Sequence, residues 1–146
     1  MYLGLGRKEA SSIEVVLYLA NEPAGHRAKA REIAEEVHIS PSYLPQVLAD
    51  LVRGGLLTAR AGRNGGYQLA RDPSTITLVD IIHASGEALG DDLCQLSGAP
   101  APPMPCALHG TWSDARRVLT HELRGASITH LARAVDTLRT ARVAST

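Results

Sequence analysis

The chemistry in this chain is concentrated in two cysteines and a histidine. Cys94 and Cys106, its only cysteines, are separated by eleven residues, and His109 follows Cys106 at i, i+3. That last spacing puts both side chains on one face of a helix. Thiolate and imidazole are ligands for iron–sulfur iron, zinc or copper. Residues 86–105, GEALGDDLCQLSGAPAPPMP, hold four prolines, no lysine or arginine, and no hydrophobic period. A loop of this length is either functional or disordered, and it lets Cys94 fold back towards Cys106 and His109. A cluster bound at its end would act as a switch, because gaining, losing or oxidising it changes the order of the loop. The same residues also fit a reversible Cys94–Cys106 disulfide, or two unrelated thiols.

A switch needs an output, and residues 30–69 read as one: two short helices, a turn and a glycine-tipped hairpin. That order is a winged helix-turn-helix, which places one helix in the major groove of DNA. In residues 29–37, Ile33, Ala34 and Val37 face inward at helical spacing, and His38 and Ile39 make the turn. Ser40-Pro41 predicts an N-cap followed by proline at the first helical position. Leu44, Val47, Leu48, Leu51 and Val52 supply the buried stripe of that third helix. Ser40, Ser42, Tyr43 and Gln46, near its start, are candidates for base edges and phosphates. An ordinary amphipathic helix would show a similar polar face.

Gly54-Gly55 ends that helix, Leu56 to Thr58 start a strand, and Tyr67, Gln68 and Leu69 return. Asn64-Gly65 between strand-like runs is a hairpin signal. Arg60 and Arg63 at the tip suit phosphate or minor-groove contact, and the glycines let backbone approach closely. A surface hairpin with solvated arginines is the plain alternative. The three features in this order are far more specific than any one of them.

The flanking elements are helical. Residues 11–21 place Ile13, Val16, Leu17 and Ala20 on one face, with Ser11 or Ser12 as cap and Glu9 and Glu14 near the positive end of the helix dipole. In residues 76–85, Leu78, Ile81, Ile82 and Ser85 fit a short helix. From Cys106 a broad apolar stripe of Ala107, Leu108, Trp112, Ala115, Leu119 and Leu123 runs to Gly125, and Ser127 caps a last helix. The simplest use of the long stripe is against its copy in a second subunit, giving a two-fold homodimer.

Composition narrows the class. The chain is 146 residues, 45% apolar and without phenylalanine, so a Leu/Val/Ile/Ala core built from helices is expected. The formal charge of zero conceals +2 over residues 1–71, −5 over 72–106 and +3 over 107–146. Only local fields act within a Debye length. The N-terminal stretch does not read as a signal peptide and no apolar run spans a membrane, which predicts a cytoplasmic protein. No Ser/His/Asp order, phosphate loop or paired carboxylates point to an enzyme.

SPSYLPQVLADLVRGGLL, GRNGGYQLARDPSTITLVDII and C-x11-C-x2-H together resemble the iron–sulfur and nitric-oxide-sensing repressors of the IscR/NsrR type, over nearly the whole chain. The resemblance implies a dimeric winged helix-turn-helix regulator with a cluster-binding loop and a long dimerisation helix. Cluster-binding members commonly carry C-x5-C-x5-C, and the middle position here is Pro100. The resemblance therefore implies a mixed-ligand [2Fe–2S] cluster in preference to [4Fe–4S]. Its ligands would be Cys94 and Cys106, completed by His109 or by Glu9 or Glu14 from the partner's N-terminal helix. Pro45 and Ala61 depart from relatives in the reading head, so a different operator is expected.

The fold expected is mainly α with a small β-hairpin wing. Residues 1–85 form the winged helix-turn-helix domain, 86–105 the cysteine-containing sensor loop, and 106–146 the dimerisation and C-terminal helices. The function expected is a transcription regulator, a repressor, on a pseudo-palindromic double-stranded operator. Ser40, Ser42, Tyr43, Gln46, Arg60, Arg63, Asn64 and Gly65 would contact DNA, and a redox-responsive cluster would set affinity. Two alternatives stay open: a cluster-less regulator sensing through a Cys94–Cys106 disulfide or a metabolite, and a protein-interaction or cluster-carrier protein without an operator.

Overall fold

The computed structural model describes residues 5–86 and 107–144. Six helices and one hairpin follow in the order α1 (Arg7–Asn21), α2 (Ala30–Glu36), α3 (Leu44–Arg53), β1 (Leu57–Arg60), β2 (Gly66–Leu69), α4 (Leu78–Ala84), α5 (His109–Gly125) and α6 (Ile128–Ala144). The core is aliphatic, as a chain without phenylalanine requires. Val15, Val16 and Leu19 of α1 meet Ile33 of α2, Leu44, Val47, Leu48 and Leu51 of α3, Leu56, Ile76 and Ile81.

Helix α1 begins four residues before the sequence suggests. Its N-cap is Gly6, with no side-chain cap, and Ser11 and Ser12 are buried inside the helix rather than capping it. The inward face is Ser12, Val15, Val16 and Leu19, an i, i+3, i+4, i+7 set, and Ile13, Leu17 and Ala20 flank it half-buried. Glu9 is then the one acid of the first turn, and Glu14 lies further along the helix.

The start of α3 also differs. Tyr43 and Leu44 both donate their N–H to the Ser40 carbonyl at 3.0 Å, so Ser40-Pro41 does open a helical turn. Pro45 has no N–H for the Pro41 carbonyl, and Gln46 instead reaches the Tyr43 carbonyl at 3.2 Å. The interruption leaves 41–43 as a turn and delays the regular ladder to Leu44. His38, in the turn before it, sits at φ 54.

The wing is a two-stranded antiparallel sheet in the register Leu57↔Leu69, Thr58↔Gln68, Ala59↔Tyr67 and Arg60↔Gly66. The hairpin is not a two-residue Asn64-Gly65 turn. The left-handed glycines are Gly62 (φ 97) and Gly66 (φ 138), and Gly65 donates to the Gly62 carbonyl at 3.1 Å across a five-residue connection. Ala28 joins the sheet as an isolated bridge, donating to the Tyr67 carbonyl at 3.0 Å and accepting from Tyr67 N–H at 2.8 Å.

Thr77 caps α4, accepting from Asp80 N–H at 3.3 Å while Asp80 Oδ2 accepts from Thr77 N–H at 2.9 Å. Ser127 caps α6, with His130 N–H at 3.2 Å from its hydroxyl. The start of α6 belongs to the head. Ile128 is fully buried in the common core, its N–H bonds the Ile76 carbonyl at 2.9 Å, and Leu78 N–H bonds the Ala126 carbonyl at 3.1 Å. Helix α5, by contrast, buries none of its residues.

Candidate nucleic-acid interface

Two groups of predicted DNA-contacting residues stand on the head. The first surrounds the start of α3. Ser40, Ser42 and Gln46 are exposed, and the Ser40 and Ser42 hydroxyls lie 3.3 Å apart. Tyr43 is half-buried, and the Arg7 guanidinium lies over its ring at 4.8 Å from the centroid. A cation on an aromatic face orients both groups, so Tyr43 presents an edge that α1 holds from behind. The second group is the wing. Arg60, Arg63 and Asn64 are exposed, while Gly65 is buried. A β-carbon on Gly65 would collide with the Arg60 and Ala61 backbone, so a side chain there would force the tip open. Gly65 therefore shapes the tip.

The far end of α3 is fixed electrostatically. Asp50 is buried and meets Lys8 Nζ of α1 at 2.6 Å and Arg53 Nη1 at 2.7 Å. The hydrogen bond from Lys8 holds the Asp50 carboxyl below the ordinary carboxylate range, with help from Arg53 and against the opposing effect of burial. Sequence reasoning missed this pair, because Lys8 and Asp50 carry no local pattern and meet only through the packing of α1 on α3.

Lys8→Met should lower stability at neutral pH by about 1.5–3 kcal/mol, the range for a hydrogen bond to a charged group. A carboxylate whose folded value is depressed contributes stability above its unfolded value, near 3.8, and loses it as pH falls through the lower folded value. The difference between wild type and variant should therefore hold from neutrality to about pH 4 and shrink below it. Urea melts across pH 2–7 check this, and a gap that widens in acid would contradict it.

The predicted ligands are placed as follows. Cys94 and Cys106, with Pro100, lie outside the described residues. His109 is the first residue of α5 and half-buried. Glu9 is buried, and its Oε1 accepts from the Ser85 hydroxyl at 3.3 Å, while Glu14 is exposed on α1. Among the described residues no group of three or more His, Cys, Asp or Glu stands close enough to hold a metal ion. Glu9 and Ser85 tie α1 to the end of α4, immediately before the segment that carries Cys94.

Comparison with known proteins places this architecture. Residues 5–134 match the family described as "Rrf2: Iron-dependent Transcriptional regulator". The chain belongs to that family. The HTH-type transcriptional regulator BadM of Rhodopseudomonas palustris is 35% identical over 95% of this chain and 87% of its own length. The HTH-type transcriptional regulator IscR of Klebsiella pneumoniae is 33% identical over 68% of this chain, which spans 61% of IscR. Among solved structures, CymR, the global cysteine regulator of B. subtilis, superposes with a TM-score of 0.69 at 24% identity, over 91% of this chain and 98% of that one. This Rrf2 protein is thus a DNA-binding transcription regulator of winged-helix fold, and not an enzyme. No helix among the described residues is long and apolar enough to cross a membrane.

Proposed function

We propose that this Rrf2 regulator is a homodimeric repressor of a pseudo-palindromic operator, with DNA affinity set by a redox-responsive [2Fe–2S] cluster. The observation that carries the reading is the match from residue 5 to 134 to a family of iron-dependent regulators, in a chain that places C-x11-C-x2-H beyond its winged head. The donor set fits the group. Two thiolates, one imidazole and a carboxylate are the mixed ligands of a [2Fe–2S] site, and the proline at position 100 removes the third thiolate of a cysteine-only one. Cys94 and Cys106 would hold it, with His109 and either Glu9 or Glu14 of a second subunit. Bound there, it would supply a one-electron redox centre. The chain's own part is positional: Glu9 of α1 accepts from Ser85 at the end of α4, while Arg7 lies over the Tyr43 ring and Lys8 pairs with Asp50 of α3.

Two-fold assembly is supported by apolar surface left on α5 and α6. Val118 is 60% exposed, Leu119 43%, Leu138 68% and Val143 78%. Large apolar side chains left exposed on both helices favour a self-complementary contact. A dimer would set two recognition helices on successive major-groove faces about 34–36 Å apart.

On DNA, Ser42, Tyr43 and Gln46 would read or position in the major groove, with Ser40 at the turn. Arg60, Arg63 and Asn64 would hold the adjacent backbone or minor groove around Gly65. Promoter-fragment titrations at several salt concentrations test this. Replacing Arg60 and Arg63 by alanine should make the slope of log K against log salt shallower by about one per arginine. An unchanged slope would remove the wing from the interface. A protein-interaction or carrier role without an operator predicts no salt-dependent, sequence-selective binding at all.

Likeness to Staphylococcus aureus CymR, solved in an oxidized form (27% identity, TM-score 0.67), supports a second reading, in which Cys94 and Cys106 form a disulfide and no cluster is held. Each thiol would lose a hydrogen to an oxidant, and intact mass would fall by two hydrogens without iron.

A further inference from the structure

We infer that Lys29 is a positioning residue for the wing, holding the tip backbone so that Arg60 and Arg63 meet DNA from a fixed hairpin. This rests on the reading of the wing as a DNA contact. Lys29 Nζ donates to the Gly62 carbonyl at 2.8 Å and to the Arg63 carbonyl at 3.0 Å. Both acceptors lie among residues 61–65, which have no partner in the β1–β2 ladder. The Gly62 carbonyl is also the acceptor for Gly65 N–H, so the ammonium closes the same turn that the backbone bond defines.

The base of this clamp is itself fixed. Lys29 N–H donates to Glu32 Oε2 at 2.6 Å, and its carbonyl accepts from Ile33 N–H at 3.0 Å at the start of α2. Ala28, the preceding residue, pairs in both directions with Tyr67 of β2. The chain at 28–29 thus grips the returning strand by backbone and the tip by side chain. An ammonium has three donors, and two of them are spent on the tip carbonyls. Ordering these carbonyls before DNA arrives removes part of the entropic cost of ordering the loop on binding. The residues gripped lie 33 and 34 positions away in sequence, so no local motif announces the role.

The test uses the full chain with Lys29→Met, which keeps length and loses the donors, and Lys29→Arg, which keeps them. In free protein, exchange of the Gly65 amide should be about tenfold faster in K29M than in wild type, and near wild type in K29R, while α3 amides are unchanged. DNA affinity at fixed salt should fall about tenfold in K29M and recover in K29R. The loss caused by Arg63→Ala should shrink when K29M is already present, because an unheld tip no longer delivers that arginine. Unchanged Gly65 exchange in K29M, or K29M and R63A losses that simply multiply, would overturn the inference. The second result would mean that Lys29 meets phosphate on its own account. An R63A protein binding like wild type would sink the wing contact itself and this role with it, and the exchange data would separate that failure from a missing clamp.

Discussion

Gly66→Ala should cost the protein at least about tenfold in DNA affinity while leaving its helical content intact. A β-carbon at Gly66 would stand 2.6 Å from the Ala28 carbonyl oxygen and 3.0 Å from its carbon, and the residue sits at φ 138. Both obstructing atoms are backbone, held by paired hydrogen bonds to Tyr67, so neither can swing aside as a flexible side chain would. Strain in this backbone region plus overpacking amounts to about 2–6 kcal/mol. The two bridge hydrogen bonds return only about 1 kcal/mol each. The expected outcome is separation of the wing from residue 28, not a strained native wing. Ala28 belongs to the core and would lose part of its cover, but Val15, Ile33, Leu48 and Ile81 lie on helices that do not depend on that bridge, so the helical content stays. Circular dichroism and a promoter titration, taken together, check it. Wild-type affinity in G66A would show that the bridge is dispensable.

The second large effect concerns the cysteines. Cys94→Ala and Cys106→Ala should each reduce bound iron to background after anaerobic reconstitution, and each should make DNA affinity indifferent to reduction and oxidation. Loss of one thiolate leaves a site without enough anionic sulfur for ferric iron, whatever the imidazole and carboxylate donate. His109→Cys is the instructive companion. Replacing imidazole by thiolate adds negative charge, so a cluster should still assemble, with a reduction potential lower by on the order of 100 mV. If H109C leaves the potential where it was, His109 is not a ligand. In the disulfide reading the alanine variants also lose redox response, but wild type then carries no iron, which separates the two.

Much of the head was legible because its signals are local. The stripe Leu44, Val47, Leu48 and Leu51 has a helical period and is buried as that period requires, with Val52 half-buried at its end, and Ser127 caps the last helix as its position suggests. Legibility failed where a distant or negative effect decides. Ser11 and Ser12 look like caps, yet burial of Val15, Val16 and Leu19 extends α1 back to Arg7 and carries both serines inside. Pro45 disrupts the turn that Ser40-Pro41 begins, by withholding a single N–H. Asn64-Gly65 marks the hairpin correctly, but not its conformation: Gly62 and Gly66 take the left-handed positions, where the tip also meets residues 28 and 29.

The electrostatic contacts were invisible for a similar reason. Lys8–Asp50, Arg7–Tyr43 and Glu9–Ser85 join residues far apart in sequence. Three successive residues of α1 thereby touch the start of α3, its last turns and the end of α4. The apolar stripe of α5 leaves Leu119 exposed and Trp112 and Leu123 half-buried.

The most direct test is an anaerobic promoter titration of the reconstituted protein beside the same preparation stripped by chelator, at equal salt, with iron, sulfide and absorption measured on both. We expect a coloured protein with about two irons per cluster, and affinities that differ at least about tenfold between the loaded and stripped forms. A preparation that stays colourless and iron-free after reconstitution, or two forms that bind the promoter equally, would contradict it.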